Sequence, residues 1–165
     1  LRGRLFHAMS AAAGVAPGTS LGTAAAFVLA NPNGSGKKLV VHGSGLAYLS
    51  GTLGAGHVVY GAGKQSATEV TGTAVVIQGA EIGGKTGVGK VYETATLPAT
   101  PFSFREQCSM GPALATTASF PFAVRDDIKG GIVVPEGCNL SLQGVAGAGT
   151  APLVRFSITW EEIDA

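Results

Sequence analysis

In PLVRFSITWEEI, residues 152–163, apolar and polar positions alternate. Val154, Phe156, Ile158 and Trp160 share one face, and Arg155, Ser157, Thr159 and Glu161 share the other. A period of two is that of a strand with one buried and one solvated face, the usual condition in an antiparallel sheet. CNLSLQG, residues 138–144, repeats the pattern, with Leu140 and Leu142 inward and Asn139, Ser141 and Gln143 outward. Other short segments rich in Val, Ile, Thr or aromatics, each bounded by Gly, Pro or Asn, read as strands as well. They are Ala24–Ala30, Lys38–Leu49, Gly56–Tyr60, Thr73–Gln78, Lys90–Leu97, Phe102–Ser109, Phe120–Arg125 and Ile132–Val134. No window holds a 3.6-residue pattern of helix length. The chain is therefore expected to be all-β, an antiparallel jelly-roll-like β-sandwich over residues 21–165. Residues 1–20 are small, Gly/Ala-rich and irregular, and are expected to form an N-terminal arm.

Composition narrows the partners. The 165 residues suit one domain. Only 13% are charged, against about 25% in ordinary soluble domains, and such a surface is better tolerated where a partner covers part of it. The net charge is +1 and no basic stripe exists, so no nucleic-acid partner is expected. The longest apolar run, Ala24–Ala30, is too short to span a bilayer, and no membrane partner is expected. The opening LRGRLFHAMSAAAG has two arginines, but its apolar part is short and broken, so it does not read as a signal peptide. Cys108 and Cys138 make no disulfide framework and are expected to be reduced.

The chemical candidates are few. GAEIGGKT, Gly79–Thr86, spells a phosphate-cradling loop. Such a loop needs a helix after it, whose free N–H groups face the phosphates. The next residues are instead GVGKVYETATLPATP, strand-like and closed by Pro98 and Pro101, so nucleotide binding there is the least favoured reading. NPNGSGKK, residues 31–38, reads as a hairpin or inter-sheet connection, with Asn33-Gly34 tolerating positive φ. His7, His42 and His57 lack metal-ligand spacing. Ser44, in HGSGL, lacks the spacing of a nucleophile elbow. Asp126-Asp127 and Glu161-Glu162 place neighbours on opposite strand faces and read as solvated strand ends. Asn33-Gly34-Ser35 and Asn139-Leu140-Ser141 spell glycosylation sites. The expectation is a non-enzyme with no catalytic residue, cofactor or metal.

Four stretches together, AAAFVLANPNGSGKKLVV, YLSGTLGAGHVVY, ATLPATPF and GGIVVPEGCNLSLQGVAGAGTAPLVRFSITWEEI, resemble virion proteins of tailed bacteriophages. The likeness is to small β-sandwich proteins that decorate or cement the capsid, and it runs over roughly residues 20–163. It implies a jelly-roll-like fold and binding of the major capsid protein across subunit seams. It also implies self-association as a dimer or trimer, and a place on the virion exterior after assembly in the bacterial cytoplasm. A head-fibre or receptor-binding β-sandwich module is the alternative. The N-terminal arm is the expected inter-subunit contact, with a second copy or a capsid protein, through Arg2, Arg4, Leu5, Phe6 and Met9; the alternative is that it folds back on its own sandwich. Phe6 is its apolar anchor and the arginines are donors to carboxylates on a neighbour.

Overall fold

The computed structural model describes residues 4–110, 123–146 and 149–165. Their regular structure is all strand: β1 (Leu5–Met9), β2 (Ala24–Asn31), β3 (Lys37–Ser50), β4 (His57–Lys64), β5 (Thr71–Ala74), β6 (Ile77–Gly79), β7 (Lys90–Thr96), β8 (Phe102–Ser109), β9 (Ala123–Val134), β10 (Cys138–Val145) and β11 (Leu153–Asp164). One sheet runs β6-β1-β11-β3-β9 and the other β5-β7-β2-β10-β4-β8.

The topology becomes plain when β5, β6 and β7 are set aside. The remaining eight strands pair first with last and so on inward: β1 with β11, β2 with β10, β3 with β9, β4 with β8, all antiparallel. That is a long hairpin rolled into two sheets, a jelly roll. The segment between β4 and β8 supplies the extra strands. β7 and β5 extend one sheet beside β2, and β6 extends the other beside β1.

The alternation in β11 directs the core. Val154, Phe156, Ile158 and Trp160 are each at most 2% exposed. Phe156 stacks on Phe27 of the opposite sheet, with ring centroids 5.8 Å apart. Between β2 and β3 the chain crosses from one sheet to the other. Gly34 (φ 73°) and Gly36 (φ 63°) take the left-handed turn there, and Glu136 accepts both of their N–H groups.

The N-terminal arm is corrected. Leu5–Met9 is a strand between β11 and β6, and Phe6 and Ala8 are 3% and 5% exposed in the main core. Pairing continues past β1, since Ser10 N–H donates to Phe156 O and Val15 bridges Val154. The physical reason is that β11 would otherwise expose a ladder edge and the ring of Trp160, which Phe6 covers at a centroid distance of 5.8 Å. The sandwich therefore starts at β1, and the boundary at residue 20 does not separate an arm from it.

Smaller differences have local causes. Thr73–Gln78 splits into β5 and β6 because the chain changes sheets there. Arg125 and Ile132–Val134 belong to one strand, β9, whose ladder with β3 shifts register between Val41 and Gly43. Lys129 (φ 54°) and Gly130 (φ 81°) turn the bulge. Residues 120–122 lie outside the described residues. Asn139, Ser141 and Gln143 point away from the main core as expected, yet they are 3%, 0% and 1% exposed. A second apolar layer, including Val28, Val70 and Leu97, covers part of that outer face. The Gln143 amide brackets the N–H and C=O of Gly22, both at 3.1 Å. Asn139 is thereby withdrawn from any glycosylating enzyme in the folded chain, whereas Asn33 is exposed.

Candidate functional site

The loop that spells a phosphate cradle leaves β6 and enters β7, a strand. The amides at its far end already hold an anion. The Glu162 carboxylate accepts from Val88 N–H (3.0 Å) and Gly89 N–H (2.9 Å), and from the Trp160 indole N–H (3.3 Å). A phosphate there would meet a fixed negative charge. Calorimetry with magnesium-ATP or magnesium-GTP is expected to show no binding tighter than about 100 μM. Tighter binding that Lys85→Ala abolishes would contradict this.

Glu162 is 7% exposed and so is not the solvated strand end its sequence position suggested. Asp126 is corrected in the same way. Its side chain is 15% exposed, its Oδ1 is 2.7 Å from Arg105, and its Oδ2 accepts the Tyr60 hydroxyl at 2.9 Å. Since a carboxylate paired with arginine only accepts, the proton order of the neighbouring bonds is fixed. The Gln107 amide donates to Ser44 Oγ (2.6 Å), and the Ser44 hydroxyl then donates to Tyr60 (2.6 Å), which donates to Asp126. This relay joins β3 and β9 of one sheet to β4 and β8 of the other. Burial pushes the Tyr60 phenol well above its ordinary range, and Asp126 adds to the effect while Ser44 opposes it. Ser44 is 4% exposed in mid-strand, and its hydroxyl is engaged by Tyr60 and Gln107.

Cys108 and Cys138 are free thiols. Burial raises Cys108 to about 11. Its alkylation in the folded chain at pH 8 should therefore run about a hundredfold slower than in urea-unfolded chain, and gain about tenfold per pH unit toward that value. Equal rates in the two states would show that Cys108 is not buried.

An open trough of about 950 Å³ lies on the outer face of the five-stranded sheet. The outward side chains of this sheet face fall into cross-strand rows. Leu5, Glu161, Val40 and Val133 form one, then His7, Thr159, Gly43 and Asp127, then Met9, Ser157, Gly45 and Arg125, and last Arg155, Ala47 and Ala123. The floor on β11 and β3 is small: Gly43, Gly45, Ala47, Ser157 and Thr159. β1 raises one wall through Leu5, His7 and Met9, and Met9 is 51% exposed. His7 Nδ1 lies 3.0 Å from Thr159 Oγ1, His42 Nε2 lies 3.4 Å from Glu161, and Arg125 Nε lies 3.2 Å from Asp127.

The expected contact residues are divided by this arrangement. Leu5 and Met9 reach the trough, while Phe6 is turned into the core. Arg4 offers its backbone C=O to Glu162 N–H. Its charge, with the larger effect of Lys37, holds the Asp164 carboxyl below the usual carboxylate range. Arg2 lies outside the described residues. The small floor on β3 was readable in principle, because Gly43, Gly45 and Ala47 recur at the strand period. No group of three or more His, Cys, Asp or Glu among the described residues could hold a metal. Comparison of the chain with protein-family models, with curated proteins and with solved structures finds no match.

Proposed function

We propose that the chain is a structural virion protein that decorates or cements a tailed-phage capsid, binding the major capsid protein and itself. The observation that carries this reading is where apolar side chains are displayed. Phe102 (73% exposed), Val76 (72%) and Ile82 (97%) stand at a sheet edge, an inter-sheet turn and a loop tip. Scattered apolar projections around a rigid sandwich suit adhesion to a larger surface. The acidic side chains best placed for chemistry are engaged internally: Glu162 and Glu136 by backbone amides, Asp126 by Arg105 and Tyr60. A jelly roll is also compatible with viral shells, although the same architecture serves lectins, so the fold alone does not decide.

The head-fibre or receptor-binding reading is favoured by one observation, the exposed Phe102 and Phe104 on the edge strand β8, which could stack on sugar rings. Trp160, the only tryptophan, is fully buried and offers no such platform. The test is cosedimentation of purified chain with particles of its phage assembled without it. Saturable retention that Phe102→Asp or Ile82→Asp weakens at least about tenfold is expected, since desolvated apolar anchors dominate such contacts. Absence of retention, together with binding to host surface glycans, would favour the alternative.

A further inference from the structure

The outer face of the five-stranded sheet carries its charges in an order that is its own complement. Along β11 the outward residues read Arg155, Ser157, Thr159, Glu161, and along β9 they read Arg125, Asp127. The strand registers place Ser157, Gly45 and Arg125 in one row and Thr159, Gly43 and Asp127 in the next. The midpoint of both charge series therefore falls on one line, between these two rows. From this geometry we infer that the face is the contact between two copies of the chain, related by a two-fold axis that crosses the strands along that line.

Such an axis reverses the rows and keeps the columns. It sets Arg155 of each copy over Glu161 of the other and Arg125 over Asp127 of the other, so each pair occurs twice, as a two-fold interface requires. It also sets Gly43 against Gly45, and these bare positions leave room for the long Arg155 and Glu161 side chains above the floor. Arg155 Nη2 donates to Ser10 O at 3.3 Å, and among the described residues its buried Nε has no acceptor. Along the β1 wall, His7 would meet Met9 of the other copy. Strands of 3, 5, 12, 14 and 12 residues, spaced about 4.8 Å and rising about 3.3 Å per residue, present about 700 Å² in projection. The accessible area of a corrugated face exceeds its projection, which brings it to the roughly 800 Å² per partner of a standard interface. This assignment deepens the self-association in the proposed function. A monomeric chain that still saturated particles would overturn the dimer and leave the capsid reading standing.

The experiment is sedimentation equilibrium of the purified chain and of charge-reversed variants, each checked for an unchanged fold by circular dichroism. The native chain should sediment as two copies of 16.4 kDa at low micromolar concentration. Arg125→Asp and Asp127→Arg, both at exposed side chains, should each raise the dimer dissociation constant about tenfold or more, since each places like charges together twice. The double variant Arg125→Asp/Asp127→Arg restores opposite charges across the axis and should recover the native constant to within about threefold. Arg155→Glu, Glu161→Arg and their combination form a second, independent set. A native chain that is monomeric at about 100 μM would overturn the assignment. So would a dimer indifferent to the single reversals, or a double variant no better than its parents.

Discussion

Removing residues 1–10 is expected to unfold the isolated chain, or to lower its stability by at least about 4 kcal/mol in urea melts. The deletion takes β1 from between β6 and β11, so β6 loses the strand it pairs with and β11 loses a ladder. It also takes Phe6, which is 3% exposed against Trp160. Aromatic truncation alone costs about 3–5 kcal/mol in a packed core, a large share of the 5–15 kcal/mol that holds a domain together. Phe6→Ala isolates that part and should reach the same range without altering the ladder. A melt left unchanged by the deletion would mean that the segment is a free arm after all.

Trp160→Ala is the second large effect, also expected at about 3–5 kcal/mol. The side chain is fully buried, contacts Phe6, and donates its indole N–H to Glu162. Its loss opens a cavity and removes one of the donors that hold a buried carboxylate. That carboxylate also fixes Val88 and Gly89, so the loop before β7 should gain proteolytic sensitivity in the variant. A loss below about 1 kcal/mol would contradict the packing described for this face.

The sequence made the two-sheet fold legible where alternation was long. β11 repeats its apolar face four times, and one period sufficed to place Val154, Phe156, Ile158 and Trp160. β1 escaped because its inward face consists only of Phe6 and Ala8, set in an Ala- and Gly-rich stretch. Two alternating positions do not outweigh local composition; what makes this segment a strand is the open edge of β11, which no local window contains. The burial of Glu162 and Asp126 is hidden from the sequence for the same reason. It is set by Gly89, Tyr60 and Arg105, which lie far away along the chain. The outward polar positions of β10 fall on the face their alternation implies, but the layer that buries part of that face comes from β7 and the chain around Val70. The trough depends on register between four strands, and register is fixed only by the folded sheet.

The central claim, that this jelly roll binds a capsid surface, is most directly tested by imaging phage particles assembled with and without the chain. The account predicts density for two-sheet sandwiches on the capsid exterior, seated on major capsid subunits, with exposed residues such as Phe102 and Ile82 at the contacts. The same sandwich found only at the tail or at a fibre tip, with bare capsid elsewhere, would contradict it.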